Sequence, residues 1–314
     1  MRKLLILALV AVLVLGTSLT AFAQDDPIVV GSKDFTENQI LGWMIYLMLE
    51  NAGYEVENRI NLGGTAVNRD ALKAGEIDVY PEYTGTSLLF HLPDDIPGFE
   101  APEGVPNDPV DSYVTVSALD ASVNDLVWLN PSPANNVYAW AVMREFAEEN
   151  DLYTAADLAD YVNAGGEVVL VTNDEFATRP DGVASFENTY GFELSPDQII
   201  VIAGAIPAQT LQALNEGANN ANFAMAYGTA GSLVAYDMIL LEDPENAQPI
   251  YANAPVFRGE VIRANPEIVP LLHPMLALLD NTTQQELNAR VDVDGEAAEA
   301  VARSFLMENG FLDE

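Results

Sequence analysis

The side chains that most often carry out chemistry in proteins are scarce in this chain. It contains no cysteine and two histidines, His91 and His273, which lie next to leucine and proline without the spacing of metal ligands. No Gly-x-Ser-x-Gly motif occurs, and the turn LGGT at 62–65 is too short to cradle a phosphate. Asp and Glu are so frequent that pairs of carboxylates are uninformative. The residue types therefore argue against an enzyme, a metal site and a bound cofactor.

The charge balance makes each basic residue informative. The 314-residue chain has 48 Asp and Glu against 12 Lys and Arg, which gives a net charge of −36 at pH 7. A surface this acidic repels nucleic acid and anionic lipid, and it is typical of a protein solvated in a salty or acidic exterior. An acidic ligand would need a local exception built from the few Lys and Arg residues.

The elements that must position any site alternate between strands and helices. An apolar run at 28–31, an alternating segment at 54–57 and a further segment at 77–80 predict strands, and stretches at 38–51 and 66–74 predict helices. Strand, helix and strand at this spacing indicate an α/β layout with parallel strands. The segment 91–109 is rich in Pro, Asp and Gly and predicts a loop.

A second α/β set follows a break in regular structure at 130–136, which we interpret as a crossing between two lobes. Apolar segments at 137–142, 168–171, 199–203 and 223–227 predict its strands. Those at 239–241 and 255–257 are interpreted as strands that return to the first lobe. We therefore predict lobe one at 27–131 and 232–314, and lobe two at 132–231.

The N-terminus has the layout of a secretory signal peptide at 1–23. Arg2 and Lys3 precede an apolar run at 4–15, and Ala21 and Ala23 supply the small residues of a cleavage site. A transmembrane anchor is the alternative, but the run is shorter than the roughly 20 residues that span a bilayer. Since cysteine is absent, a lipidated N-terminal cysteine is excluded. We expect a secreted protein that is free in a periplasm or in the external medium.

Several motifs occur in the order typical of one family. They are GSKDFTE at 31–37, LGGT at 62–65, GEIDVYPEYTGT at 75–86, NNVYA at 135–139, EFATRPDG at 175–182 and AYGT at 226–229. Together they resemble the glycine betaine/carnitine/choline-binding proteins of osmoprotectant ABC importers. The resemblance implies the two-lobed type II periplasmic-binding-protein (Venus-flytrap) fold, an α/β fold, and delivery of the ligand to a membrane permease without catalysis.

The resemblance also implies which residues contact the ligand. A trimethylammonium group has no N–H to donate, but the faces of aromatic rings attract it by roughly 0.5 to 2 kcal/mol per contact. The cage residues implied are Tyr83, Tyr138, Tyr227 and Tyr251. Contacts to a ligand carboxylate fall on Lys33, Thr86 and Arg179, and Asn136 would direct its backbone carbonyl at the methyl groups. Tyr80 and Tyr236 are expected to be packing residues.

Alternatives stay open at this point. Salt bridges to Asp34 or Asp181 would also explain Lys33 and Arg179. The segment after Tyr227 lacks an acid that relatives often carry there, which leaves details of the hinge open. A binding protein for another solute, such as an amino acid, would instead need a buried Asp or Glu beside the cage. We expect a monomer, and the preferred solute, the permease and the reason for the acidity do not follow from the sequence.

Overall fold

The computed structural model describes residues 27–313. The predicted signal peptide at 1–23 lies outside these residues. Within 27–313, every helix is too short or too polar to cross a membrane.

Ten strands of the described chain form two five-stranded sheets. The strands are Ile28–Lys33 (β1), Val56–Gly63 (β2), Val79–Tyr83 (β3), Leu126–Trp128 (β4), Tyr138–Met143 (β5), Leu170–Thr172 (β6), Ile199–Val201 (β7), Phe223–Tyr227 (β8), Met238–Leu240 (β9) and Asn253–Arg258 (β10). The first sheet has the order β2-β1-β3-β10-β4 and the second β7-β6-β8-β5-β9. In each sheet the fourth strand, β10 or β5, is antiparallel to both neighbours, whereas the first three are parallel.

Helices cover the faces of both sheets. They are Thr36–Asn51 (α1), Thr65–Ala74 (α2), Thr84–Thr86 (α3), Leu92–Asp95 (α4), Pro109–Val123 (α5), Arg144–Asn150 (α6), Ala155–Asn163 (α7), Asp174–Thr178 (α8), Val183–Tyr190 (α9), Pro207–Asn215 (α10), Ser232–Ala235 (α11), Gly259–Ala264 (α12), Ile268–Leu276 (α13), Asn281–Asp292 (α14) and Ala298–Glu308 (α15). A π-helical turn, Ser87–His91, joins α3 to α4, and short 3-10 turns lie at Val105–Asn107, Pro196–Gln198 and Ala218–Asn220. The predicted loop at 91–109 therefore contains only short helical turns before α5.

Helix α1 anchors the core beside the first sheet. Its wide apolar stripe, predicted from the sequence, buries Ile40, Met44 and Leu47 in one cluster with Leu272 of α13 and Leu306 of α15. Complete burial of such a side chain contributes about 1.5 to 3 kcal/mol. The helix therefore fixes the position of its own N-terminus, which follows β1 directly.

An aromatic cluster forms the core beside the second sheet. Trp140 of β5 is fully buried, and its ring meets Phe176, Phe186, Phe192 and Phe223 at centroid distances of 5.9 to 6.2 Å. All four contacts are edge-to-face, the geometry that aromatic quadrupoles favour. The cluster holds β5 against the helices that carry the 175–182 motif.

The chain passes from the first sheet to the second along the predicted crossing. The backbone N–H groups of Ser132 and Asn136 donate to the carbonyls of Asn253 and Tyr251, at 2.8 and 3.0 Å. The outgoing segment therefore runs beside the segment that returns into β10. These paired segments form the connection next to the site described below.

One strand prediction is wrong. The segment 239–241 was expected to return to lobe one, but β9 pairs with β5 in the second sheet, with Val142 opposite Ile239. The return to the first sheet comes only after β9, at β10. A three-residue strand has too few side chains to indicate its partner, and the neighbouring β5 was available to pair with it.

Candidate ligand-binding site

The predicted site residues gather where the two sheets face each other. Lys33, Tyr83 and Tyr227 are the last residues of β1, β3 and β8, and Tyr138 is the first residue of the antiparallel strand β5. Tyr138 lies directly opposite Tyr227 in the β5–β8 register. Because the carboxyl ends of parallel strands meet at one edge, these side chains converge, as they do in other open α/β sheets.

All eight predicted residues line one cavity with an empty volume of about 290 Å³. They are Lys33, Tyr83, Thr86, Asn136, Tyr138, Arg179, Tyr227 and Tyr251. Three further residues line it that the sequence reasoning did not assign: Phe35, Thr65 and Glu175. Each lies inside a motif that carries the family resemblance, which is the signal that would have found them.

The aromatic rings form a continuous wall. Tyr138 meets Tyr227 and Tyr251 at centroid distances of 5.3 and 5.9 Å, while Phe35 meets Tyr227 at 5.2 Å and Tyr83 at 6.0 Å. Phe35 comes from the segment after β1, so it joins the rings of the first sheet to those of the second. The wall is therefore complete only when the two sheets are close together.

Gly85 allows this close approach. A Cβ atom at this position would lie 2.8 Å from the carbonyl oxygen of Ile250 and 2.9 Å from the ring of Tyr251. Both distances are shorter than van der Waals contact. The glycine of the PEYTGT motif therefore lets the Tyr251 ring pack against α3.

Lys33 is paired with an acid that the sequence did not single out. Its Nζ lies 2.6 Å from Oε1 of Glu82, not beside Asp34, and 5.2 Å from the centre of the Tyr83 ring. Glu82 is fully buried, and it also accepts from the Tyr80 hydroxyl at 2.8 Å and contacts His91 at 2.9 Å. Burial raises the pKa of the Glu82 carboxyl, but Lys33 and His91 outweigh burial and hold it well below its usual range. Lys33 is thus a fixed cation at the cavity wall.

Arg179 is held by two acids. Its Nε and Nη2 donate to Asp181 at 2.8 and 2.5 Å, and its Nη1 donates to Glu175 at 3.2 Å. The pairing with Asp181 is the alternative that the sequence left open, although the pair is buried and not on the surface. Asp181 also accepts from the Tyr251 hydroxyl at 2.7 Å. The guanidinium is thereby oriented beside the Tyr138 ring, 5.7 Å from its centre.

Glu175 connects the two sides of the cavity. Its carboxylate accepts from the backbone N–H of Thr65 at 3.2 Å and from the Thr65 hydroxyl at 3.1 Å. Thr65 begins α2, which has no side-chain cap of its own, so an acid from the other side caps the helix and interacts with its dipole. A neighbouring cavity with an empty volume of about 650 Å³ shares Glu175 with the site.

The remaining predictions concern Asn136 and the two packing tyrosines. The Asn136 side chain donates to Glu37 at 3.1 Å and accepts from Thr229 at 2.8 Å. Tyr80 is fully buried in the core of the first sheet, and Tyr236 packs partly buried beside the second. Both tyrosines therefore have the packing positions expected of them.

A family model for the substrate-binding domain of the ABC-type glycine betaine transport system matches residues 26–308. The chain belongs to this family. Its members are substrate-binding proteins of transport systems, which act outside the cytoplasm with ABC permeases. The family resemblance seen in the motifs is thereby confirmed.

Individual relatives agree with this assignment. The glycine betaine-binding protein YehZ of Escherichia coli K12 is 41% identical over 286 residues, which cover 91% of each chain. A glycine betaine-binding protein of Pseudomonas aeruginosa is 32% identical over 307 residues, or 95% of this chain and 93% of the relative. Both relatives carry the function that the motifs indicated.

Solved structures confirm the predicted fold. The apo structure of YehZ from E. coli superposes with a TM-score of 0.68 at 40% identity and covers 91% of this chain and 100% of that one. A glycine betaine/carnitine/choline ABC transporter structure gives a TM-score of 0.71 at 25% identity, with the same coverage. The protein thus has the type II periplasmic-binding fold of its family.

Proposed function

We propose that this protein is a secreted, monomeric solute-binding protein that captures a quaternary-ammonium solute of the glycine betaine type, delivers it to an ABC permease and catalyses no reaction. The observation that carries the proposal is the continuous aromatic wall of Tyr83, Tyr138, Tyr227 and Tyr251 around a cavity that also exposes two fixed cations. Ring faces attract a trimethylammonium group without hydrogen bonds.

The opposite end of such a ligand is a carboxylate, which needs cationic or hydroxyl donors. Lys33, Thr86 and Arg179 line the same cavity and supply them. Because Lys33 and Arg179 are already oriented by buried acids, little side-chain freedom is lost when they meet a ligand. A preorganised site of this kind binds more tightly than one that must order itself.

The presence of Glu175 in the cavity wall would favour an amino-acid ligand, because a carboxylate can accept hydrogen bonds from a primary ammonium group. Its oxygens already accept from Thr65 and Arg179, however, so a ligand amine would have to compete with them. A quaternary ammonium group needs no such acceptor. The contacts of Glu175 therefore favour the quaternary solute.

A panel of solutes tests this function. We expect glycine betaine, proline betaine, carnitine or choline to raise the melting temperature, because a ligand at 100 times its Kd stabilises the folded state by about 2.7 kcal/mol. Glycine, which has the same carboxylate and a primary amine, should leave it unchanged. Thermal unfolding followed by titration calorimetry measures both. Stabilisation by glycine or other primary amines without any effect of the quaternary solutes would contradict the proposal.

We further propose that the two sheets belong to lobes that close around the ligand. The proposed lobes are 27–131 with 232–314 and 132–231, with β9 assigned to the second lobe because it pairs within the second sheet. A ligand that contacts Tyr83 on one side and Tyr138 on the other gains both contacts only when the lobes are closed, so it shifts the population toward that state.

Small-angle X-ray scattering measures this closure. We expect saturating glycine betaine to reduce the radius of gyration and to sharpen the distance distribution. Glycine at the same concentration serves as the control for solvent contrast. Superimposable profiles with and without a ligand whose binding is proven by calorimetry would rule out lobe closure.

A further inference from the structure

Glu37 is a buried acid at a junction of four chain segments, and the ligand-binding site described above makes no use of it. It lies in the first turn of α1 and is 3% exposed. Its Oε1 accepts from the Tyr83 hydroxyl at 2.7 Å and from Nδ2 of Asn136 at 3.1 Å, and its Oε2 accepts from Nδ2 of Asn288 at 3.3 Å. Asn288 and Asn136 both bond to Thr229, which follows β8.

The donors around Glu37 distinguish it from the other acids near the site. Glu82 is paired with Lys33, and Asp181 and Glu175 are paired with Arg179. The side chains around the Glu37 carboxylate are instead neutral: the Tyr83 phenol, the Thr229 hydroxyl and the amides of Asn136, Asn288 and Gln284. Within the described residues, the ion pairs include none to Glu37.

Burial of an ionised carboxylate without a nearby cation is unfavourable, and the raised pKa of Glu37 agrees with this. Burial raises the pKa of the Glu37 carboxyl, and the hydrogen bonds from Thr229, Tyr83, Asn288 and Asn136 offset only part of that rise. An opposite charge nearby would favour the ionised carboxylate. A permanently charged ammonium group in the cage would supply that charge.

Glu37 does not line the 290 Å³ cavity, so it cannot accept a hydrogen bond from a ligand there. Its link to the cavity is the hydroxyl of Tyr83, whose ring forms part of the wall. Hydrogen bonds in a chain polarise one another, so a phenol that donates to a carboxylate carries more negative charge on its ring. A more negative ring face attracts a cation more strongly.

We propose that Glu37 is the buried counter-charge of the aromatic cage, a positioning residue that acts on the ligand's ammonium group through the hydroxyl of Tyr83. This inference rests on the proposed function, since it requires a ligand with a permanent positive charge. It adds a determinant of specificity: the site distinguishes a cationic head group from an uncharged group of the same shape.

The test compares glycine betaine with tert-butylacetate, in which an uncharged carbon replaces the ammonium nitrogen and the carboxylate is kept. We expect Glu37→Gln to lower the ratio of the two affinities on the order of tenfold, because it removes a charge in a low-dielectric interior while keeping the size of the side chain. Glu50→Gln, on the exposed end of the same helix, controls for net charge and should leave the ratio unchanged. Titration calorimetry, with competition for the weaker ligand, gives both constants.

A role of Glu37 in the architecture alone would weaken both ligands equally, and that result would overturn the inference. Tyr83→Phe is a second test, which leaves helix α1 unchanged. It should lower the same affinity ratio. If the two residues act through one hydrogen bond, the variant that combines Tyr83→Phe with Glu37→Gln should lower the ratio no further than either substitution alone. Should Glu37→Gln fail to fold, an unchanged ratio in Tyr83→Phe would overturn the inference by itself. If the unaltered protein binds no quaternary solute, the proposed function is wrong, and the inference about Glu37, which rests on it, is wrong as well.

Discussion

Replacing Arg179 by alanine should weaken the binding of glycine betaine by about 10- to 100-fold and change the binding of choline much less. A hydrogen bond to a charged group contributes about 1.5 to 3 kcal/mol of binding free energy. Glycine betaine would lose such a bond to its carboxylate, whereas choline has no carboxylate and would lose none. Titration calorimetry with both ligands measures the difference. Equal losses for the two ligands would mean that Arg179 supports the architecture of the site and does not contact a carboxylate.

The same substitution should also lower stability, because it leaves the buried Asp181 carboxylate with the Tyr251 hydroxyl but without its cation. Breaking a buried ion pair by removing one partner costs about 3 to 5 kcal/mol. Arg263→Ala is the matched control, since Arg263 pairs with Asp125 on the surface, where such pairs contribute about 0 to 1 kcal/mol. Binding must therefore be measured below the melting temperature of each variant.

Alanine at each of the four cage tyrosines should cost about 1 to 3 kcal/mol of binding free energy for any quaternary ligand. The substitution removes both the attraction of the ring face and part of the apolar wall that excludes water. Tyr153, which is exposed in the loop after α6, supplies the control, and Tyr153→Ala should leave the affinity unchanged. Intact affinity in all four cage variants would show that the aromatic wall is not the ligand site.

Phenylalanine should separate the four tyrosines into two pairs. Tyr83 and Tyr251 donate their hydroxyls to the buried acids Glu37 and Asp181, each at 2.7 Å, so the loss of the hydroxyl removes one hydrogen-bond donor from a buried acid. The second pair is Tyr138 and Tyr227, whose hydroxyls bond to each other, and the Tyr138 hydroxyl also lies 3.5 Å from the partly exposed Glu175. Their ring faces survive the change, and no buried acid loses a donor. We expect Tyr138→Phe to cost little and Tyr83→Phe to cost more.

Measurement of all variants at two salt concentrations excludes a generic attraction of cations to the acidic surface. That attraction would favour choline, would weaken as salt rises and would hardly depend on one ring. Contacts inside a desolvated cage are screened much less. A loss of affinity that persists at high salt in a variant therefore reports on contacts inside the cage.

The helix that sequence reasoning missed shows where hydrophobic patterns fail. Helix α5 buries Ser112, Val116 and Asp120, whereas Val110 is 65% and Val114 54% exposed. Its buried face therefore mixes polar with apolar residues while two valines are exposed, so it has no apolar stripe to recognise. The reason lies outside the helix.

Asp120 is buried because Arg69 and the indole N–H of Trp128 donate to it, at 2.5 and 2.7 Å. These partners come from α2 and β4, which are 51 and 8 residues away along the chain. A buried acid becomes favourable only when its partners are already in place. No local window of sequence contains that information.

The residues that line the cavity could be predicted from the sequence, partly from local patterns and mainly from the family resemblance. Periodicity located β1, α1 and β8, the ordered motifs contain seven of the eight candidate residues, and all eight, including Tyr251, line one cavity. Local patterns find strand ends such as those at Lys33 and Tyr227, and parallel strands bring their carboxyl ends to one edge. Other candidate residues lie outside the strands, so only the family resemblance could indicate them: Thr86, Asn136, Arg179 and Tyr251.

The pairing of each base with its acid, and the element that bridges the two sides of the cavity, became visible in the folded chain alone. Lys33 pairs with Glu82, 49 residues away, and not with the adjacent Asp34. Glu175 reaches Thr65 from the far side of the cavity, and Glu37 accepts from the Tyr83 hydroxyl. With 48 acids in the chain, composition cannot select among them, because a charge interacts according to its distance in space and its burial, and both arise only when the sheets come together.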